Sequence, residues 1–217
     1  MRRLAVVFSL LVLLGLPAAV AAAPSLLGPT GLVLIPTAET LGMTGFNVGA
    51  SGIRVDDGPD QSALYGNVGL LPGLEVGFIR EKSEGSGAET LLNAKARLFK
   101  PPLGRISVAA GMMDITDQTD RTPYLVLSHT LGAGVLTSVG PVTLPQLHIG
   151  VGGGMIDGLF AGVSTTVNQR VGVMAEYDGD HVNLGARMPL TLKVDATVAT
   201  LDGLKNLAGG LSFSSPW

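Results

Sequence analysis

Short segments in which apolar and polar residues alternate recur along most of the chain, and this period-two pattern limits the possible folds most strongly. About twelve such segments of roughly eight to eleven residues are separated by clusters of Gly, Pro, Asp and Asn, as expected for tilted strands of a β-barrel. The segments begin near Phe46, Ser62, Leu74, Glu89, Arg105, Thr122, Gln146, Gly158, Val171, His181, Leu190 and Leu207. Only the stretch from Gly132 to Pro145 breaks the spacing, and we expect it to hold another strand or a folded-in segment.

The two faces of these strands differ sharply in charge. In the C-terminal third, alternate positions of one face, such as Val173, Leu184 and Val198, are never charged. Because strand side chains alternate between the two faces of a sheet, each set forms a real surface. We predict that the polar face lines the lumen of a barrel. Its charged side chains either border an open pore or neutralise one another in a filled interior. These residues are Lys95, Arg97, Glu176, Asn183, Arg187, Lys193 and Asp195.

Two hairpins can be assigned a register. The two-residue loop Gly179-Asp180 has Gly at the position where a type II′ turn needs it. It predicts the pairs Tyr177 with Val182, Glu176 with Asn183, and Val173 with Ala186. In the next hairpin, a three-residue turn over 189–191 predicts Met188 opposite Leu192 and Arg187 opposite Lys193.

The N-terminus has the pattern of a secretion signal. Arg2 and Arg3 precede an apolar stretch from Leu4 to Leu16, and Ala21-Ala22-Ala23 offers a small-residue cleavage site. We therefore predict a signal peptide over residues 1–23, an N-terminal segment over 24–45 and a β-barrel over 46–217. The pattern leaves open whether the segment 24–45 forms a strand or enters the lumen.

Period alone does not distinguish a membrane barrel from a soluble one that binds a ligand in an apolar interior. The chain is 46% hydrophobic and 14% charged, with a mean hydropathy of +0.43, yet beyond the N-terminus it lacks the run of ~20 apolar residues that a spanning helix needs. The signal peptide, the sparse charge of the polar face and the longer connections at one end favour a bacterial outer-membrane barrel. Aromatic residues near strand ends also fit this interpretation; they are Phe46, Phe99, Tyr124, Phe160, Tyr177 and Trp217.

The final segment resembles the C-terminal strand by which outer-membrane proteins are recognised for insertion. Leu211 and Phe213 alternate on one face and Trp217 is the terminal aromatic residue, although Pro216 departs from the pattern. The expected partners are therefore the barrel-assembly machinery, outer-membrane lipid and lipopolysaccharide.

Composition argues against several other classes of function. The chain has no cysteine, and His129, His148 and His181 lack metal-site spacing, so we expect neither a metal centre nor a cofactor. The net charge is −3, which argues against a nucleic-acid partner. The acidic stretches 56–60 and 114–120 are expected to form solvated turns, with Ca²⁺ bridging to lipopolysaccharide as the alternative.

A lipid-facing hydrolase would need a serine and a histidine together on the barrel surface. Ser128 and His129 are neighbours and so point to opposite faces, which leaves Ser164 or Ser107 with His148 as the conceivable pairs. We expect a non-enzymatic protein, with this hydrolase as a lesser alternative.

Two stretches resemble the YjbH-like outer-membrane β-barrel family. They are the segment from Gly31 to Ala38, followed by Gly45 and a strand, and the segment from Glu176 to Arg187. Members of that family are associated with exopolysaccharide production and export, and many are much longer than this chain. The resemblance implies a role in exopolysaccharide export or envelope biogenesis, with polysaccharide and export proteins as partners. It brings no catalytic residues.

Overall fold

The computed structural model describes residues 22–100, 105–131, 135–137, 140–142, 144–168 and 170–215, which form fourteen β-strands. Nearly all of the predicted signal peptide, together with Trp217, lies outside these residues. The strands are β1 (Phe46–Arg54), β2 (Gln61–Leu71), β3 (Leu74–Ser83), β4 (Ala88–Phe99), β5 (Ile106–Met113), β6 (Thr122–Thr130), β7 (Val135–Thr137), β8 (Gly140–Val142), β9 (Gln146–Gly152), β10 (Gly158–Val167), β11 (Val171–Tyr177), β12 (Val182–Pro189), β13 (Val194–Leu201) and β14 (Asn206–Ser214). None of the described residues forms a helix with the length and apolar character to cross a bilayer.

Twelve of the strands close into one antiparallel barrel. Each pairs with its neighbour in sequence, β6 pairs with β9, and β14 pairs with β1 to complete the circle. The remaining two, β7 and β8, form a small hairpin inside the irregular segment 132–145, and β8 touches the barrel where Val142 pairs with Val167. The predicted up-and-down barrel of about twelve strands is confirmed.

The uncharged face of the strands points outward. Val182, Leu184, Val198 and Leu211 are each about half exposed, although they are large and apolar. Their neighbours on the other face, among them Asn183 and Thr197, are buried inside. A water-soluble barrel would need the reverse arrangement, so the wall has the face distribution of a transmembrane barrel.

The first assigned hairpin has the predicted register, while the second does not. Tyr177 pairs with Val182 and Glu176 pairs with Asn183, across a turn in which Gly179 has a φ of +118°. The strand predicted to begin at Leu190 instead begins at Val194, so that Met188 pairs with Ala196 and Arg187 with Thr197.

The second turn is longer than predicted because the hydroxyl of Thr191 accepts hydrogen bonds from the amides of Lys193 and Val194, at 3.2 and 3.0 Å. The error is four residues, an even number, so every side chain of the strand keeps its predicted face.

The two ends of the barrel differ in the length of their connections. Where β1 begins, the neighbouring strands are joined by short links such as 72–73, with 131–145 as the long exception. At the opposite end the links include the longer loops 55–60, 84–87 and 114–121. Outer-membrane barrels generally have short periplasmic turns and longer external loops. We refer to these as the short-turn end and the long-loop end.

The barrel is not hollow, because residues 24–45 fold back into its lumen. We call this segment the plug. It begins and ends at the short-turn end, and two isolated bridges, Pro24 with Thr30 and Gly31 with Pro36, fold it into compact turns. Its apolar side chains pack against inward residues of the wall in a single buried cluster. From the plug this cluster takes Leu26, Leu32, Val33, Ile35 and Ala38, and from the wall Val126, Phe160 and Met174, among others.

Glycines of the wall make room for the plug. A Cβ added to Gly185 would lie 2.6 Å from Cγ2 of Val33, and one added to Gly162 would lie 2.5 Å from Cδ1 of Leu32. Both distances are too short for carbon atoms in contact. The glycines of the polar face therefore allow the plug to lie directly against the wall.

Candidate functional site

A buried carboxylate on β11 binds the middle of the plug. Oε2 of Glu176 accepts a hydrogen bond from the amide of Val33 at 2.9 Å, and Oε1 accepts one from the amide of Leu34 at 2.8 Å. The amide of Ile35 and the side chain of Asn183 donate to the same carboxylate, at 3.4 and 3.2 Å. The turn of the plug thus presents three consecutive N–H groups to one anion, as in backbone anion sites elsewhere.

A second carboxylate, on β3, binds the two flanks of the plug. Glu75 accepts hydrogen bonds from the amides of Thr30 and Leu41, each at 2.9 Å. The ammonium of Lys95 lies 3.8 Å from Glu75 and donates to the carbonyl oxygen of Thr30 at 2.8 Å. Glu75 and Lys95 are almost fully buried, so their charges are compensated by each other and by the backbone of the plug.

A guanidinium on β12 binds carbonyl groups of the plug. Nη2 of Arg187 donates to the oxygens of Pro24 at 2.7 Å and Leu32 at 3.0 Å, and its Nε donates to the hydroxyl of Thr197. Arginine offers several donors in a fixed plane, which suits this bridging of two chain segments.

Neutral side chains complete the contacts. Asn67 donates to the carbonyl oxygen of Gly28 at 2.7 Å, and Ser51 donates to that of Leu26 at 2.8 Å. The amide of Ala38 donates to the hydroxyl of Ser128 at 2.9 Å.

Most polar contacts of the plug involve its backbone, while the side chains of Thr30 and Glu39 also bind groups of the wall. Ionised groups of both signs satisfy amides and carbonyls that would otherwise be buried without partners. No covalent bond joins plug and wall beyond the chain itself, since the protein has no cysteine. The arrangement is a non-covalent closure of the lumen.

The structure distributes the predicted lumen residues over three environments. Lys95, Glu176 and Asn183 are buried inside the barrel. Arg187, Asp195 and Arg97 are partly buried on the inward face, with Arg97 beside Gly73 at the short-turn end.

Lys193 does not line the lumen. It lies exposed in the turn before β13, and its Nζ is 5.9 Å from the centroid of the Phe213 ring. The longer turn removes it from the strand and leaves its ammonium within reach of the face of an aromatic ring.

Sequence reasoning missed Glu75, Asn67 and Ser128 as contacts of the plug. Glu75 does alternate with the apolar residues Leu74 and Val76, so its inward direction could have been inferred.

The last described strand places its two predicted insertion residues on the outside. Leu211 is 53% exposed, and the ring of Phe213 lies 6.1 Å from that of Phe46 on the neighbouring strand. These positions suit contact with lipid, while the role in insertion stays a prediction.

A cavity of about 340 Å³ remains between the plug and the wall, lined in part by Glu39, His148, Ser164, Arg187 and Asp195. His148 is bonded on both sides, with Nδ1 2.8 Å from Oγ of Ser128 and Nε2 3.2 Å from Oγ of Ser164.

The hypothesis of a lipid-facing hydrolase is wrong about where its histidine lies, because His148 is only 1% exposed and points into the lumen. The second candidate partner, Ser107, does not contact it, since its hydroxyl instead donates to Glu39 at 3.4 Å. The period-two alternation puts Ser164 and His148 inside, away from lipid.

The acidic stretch 114–120 folds around one of its own carboxylates. Asp114 accepts hydrogen bonds from the hydroxyl of Thr116 and from the amides of Gln118 and Thr119, at 2.8, 3.1 and 2.8 Å. Among the described side chains, no group of three or more His, Cys, Asp or Glu residues is placed to hold a metal ion. The hydrogen bonds to Asp114 give this stretch the structure of a turn.

We expect Asp114→Ala to loosen this loop. Burial acts to raise the pKa of Asp114, but the hydrogen bonds from Thr119, Gln118 and Thr116 hold that pKa below 3.8. The stability that ionised Asp114 gives the folded loop is therefore fully present above pH 3.8. It is lost as the pH falls through the lower pKa of the folded state. The substitution removes three hydrogen bonds worth ~1 kcal/mol each, so it should accelerate trypsin cleavage after Arg121 about a hundredfold.

Asp57→Ala, in another exposed loop, serves as the control and should leave cleavage at Arg121 unchanged. Equal cleavage of the Asp114→Ala variant and the unaltered protein would contradict the role given to Asp114.

Comparison with solved structures identifies the same fold elsewhere. The KdgM porin superposes with a TM-score of 0.56 at 11% identity, over 78% of this chain and 99% of that one. A second structure, titled "KdgM porin in complex with disordered oligogalacturonate", matches with the same values. The outer-membrane protein Omp33 of Acinetobacter baumannii also aligns, with a TM-score of 0.45, 13% identity and 80% and 98% of the two chains covered. The KdgM match shows a shared barrel fold.

No family model matches this chain, and neither does any curated protein. The likeness to the YjbH-like family therefore stays a prediction. The two stretches on which it depends nevertheless meet in space, because Glu176 and Arg187 bind the backbone of the segment 31–35.

Proposed function

We propose that this protein is a non-enzymatic barrel of the bacterial outer membrane that is closed at rest by its plug. In this proposal the barrel opens when the plug leaves, and an exopolysaccharide then passes during export or envelope biogenesis. The observation that carries the proposal is the polar clasp formed by Glu75, Lys95, Glu176 and Arg187, which binds the plug through its backbone.

The outer-membrane location is supported by the wall itself. Its apolar outward face, its unequal ends and its likeness to the KdgM porin fold all fit a barrel surrounded by lipid. Lipid, lipopolysaccharide and the barrel-assembly machinery are accordingly the proposed general partners.

Opening is supported by how the plug enters. Pro24 lies beside Arg187, and at the other end the amide of Thr44 donates to the oxygen of Gly69 at 2.8 Å, so both ends are at the short-turn side. Cleavage near Ala23, as predicted, would leave the plug tethered only through Gly45. A segment held at one end can leave the lumen without unfolding the wall.

A polysaccharide as the passing molecule is supported by two observations. One is the resemblance to the YjbH-like family, and the other is that the related KdgM fold has been seen with oligogalacturonate. Once the plug departs, the clasp would present donors and acceptors to the hydroxyl groups of a saccharide instead of backbone amides. Export proteins would then act on the periplasmic side.

We expect that deleting the protein reduces secreted polymer, and that a plug locked by a disulfide cannot restore it. Val33 and Gly185 suit such a lock, because Cγ2 of Val33 lies 2.6 Å from the Cβ position of Gly185. The chain has no other cysteine to interfere, and the periplasm is oxidising. The measurement is the polymer released by a deletion strain carrying Val33→Cys with Gly185→Cys.

The single variant Val33→Cys, which adds no side chain to Gly185, is the matched control and should restore export, as should the double variant after reduction. Unchanged surface polymer on deletion would remove the polysaccharide role, and full export by the oxidised double variant would refute opening through the plug.

A further inference from the structure

The outward surface of the barrel carries an apolar groove that is separate from the lumen and its plug. It has a volume of about 520 Å³ and crosses the outward faces of β1 to β4. The outward side chains that line it are Phe46, Val48, Val68, Val76, Phe78, Leu92 and Ala94, with Ile115 from the loop after β5.

The groove exists because small residues interrupt a wall of large ones. Gly66 has no side chain at the centre, and Phe78 leans over the gap so closely that a Cβ on Gly66 would lie 2.9 Å from its Cε1. Ala94 leaves a second space beside Val76, with which it pairs across β3 and β4. The result is an apolar depression at Gly66 and Ala94, surrounded by larger side chains that project from the same outward face.

Two cations lie directly beyond the groove, toward the long-loop end. Arg80 and Lys82 follow Phe78 at alternate positions of β3, so they share its outward face, and both are exposed. Across the sheet, Arg80 pairs with Leu64 and Thr90, and Lys82 pairs with Ser62 and Ala88. None of these four neighbours is acidic.

This pair of cations is unusual for the wall. In β5, β6 and β9 to β14, the outward positions carry no Lys or Arg, and Arg54 at the end of β1 is the other outward cation among the barrel strands. A charge on the lipid face is costly near the midplane and tolerated near the interface. The position of Arg80 and Lys82 therefore marks a level where anionic headgroups can compensate them.

We propose that the groove binds an acyl chain of lipid A in the outer leaflet and that Arg80 and Lys82 bind its phosphate. The groove supplies apolar contact for hydrocarbon, and the two cations supply charge-assisted hydrogen bonds at the headgroup level. This inference rests on the proposed outer-membrane location and on the long-loop end facing outward. It is independent of the plug and of any polymer.

Native mass spectrometry of the purified barrel tests the site. The protein is incubated with diphosphoryl lipid A, with phosphatidylglycerol or with phosphatidylcholine, and retained lipid is counted. We expect diphosphoryl lipid A to be retained, and Arg80→Gln with Lys82→Gln to weaken its retention about tenfold through loss of charge-assisted contacts. Ala94→Phe, which fills the groove, should weaken it similarly.

Two controls match these variants. Ala186→Phe places the same bulk on the outward face of β12. Arg54→Gln removes the outward cation at the end of β1, outside the proposed site on β3. Both variants should retain lipid A normally. A difference in gel migration between heated and unheated samples verifies that each variant is a folded barrel. Equal retention by the groove variants, or equal retention of phosphatidylglycerol and lipid A, would overturn the site. Polymer export is measured separately, so failure of the proposed function would appear independently.

Discussion

Deleting residues 25–41 is expected to convert the closed barrel into a steady channel, with single-channel conductance in a planar bilayer rising at least about tenfold. The reason is that a barrel of this strand number encloses more space than its own side chains fill, and here residues 24–45 occupy that space. The wall should survive the deletion, because the backbone hydrogen bonds that build it run between neighbouring strands.

The deletion exposes inward apolar residues such as Phe160 and Met174 to water, which lowers stability without breaking the ladder of strands. Heat-modified gel migration therefore has to show a folded barrel before conductance is interpreted. Removal of Gly85 and Ser86 from the loop 84–87 at the long-loop end is the matched control and should leave the barrel closed. A folded deletion variant that conducts no better than the full chain would show that the plug does not block the lumen.

Replacing Glu176 with Leu should open the barrel without removing any of the plug. The substitution leaves the amides of Val33, Leu34 and Ile35 without their acceptor inside the barrel. An unsatisfied buried donor costs ~1–3 kcal/mol, so three of them favour the displaced plug by at least ~3 kcal/mol and raise the open fraction about a hundredfold. The measurement is hydrogen exchange at the amide of Leu34, together with the frequency of channel openings.

Glu81→Leu is the matched control, because Glu81 is also an inward carboxylate of the wall yet has no hydrogen bond to the plug among the described residues. It should leave both exchange at Leu34 and channel openings unchanged. If Glu176→Leu exchanged no faster than this control, the carboxylate would not be what holds the turn of the plug.

Much of the wall could be derived from the sequence because its determinants are local. Alternation places Leu184 outside and Asn183 inside whatever the rest of the chain does, and the Gly179-Asp180 turn sets its own register. The turn after Pro189 was harder to predict from the sequence. The Thr191 hydroxyl accepts a hydrogen bond from the amide of Val194 and so lengthens the turn, but a threonine at this position could equally have been part of the strand. Because the error is even-numbered, Asp195 kept its predicted face. Lys193 left the lumen because the longer turn excludes it from the strand.

The sequence by itself determined the barrel, the direction of its faces and the positions where most strands begin, all of which follow from spacing between near neighbours. Only the tertiary structure decided that residues 24–45 fill the lumen and that Glu75 and Glu176 bind them. Those carboxylates accept hydrogen bonds from backbone amides, as far as 143 residues apart in the chain. Every residue except proline carries such an amide, so no pattern of side chains marks the partner in advance.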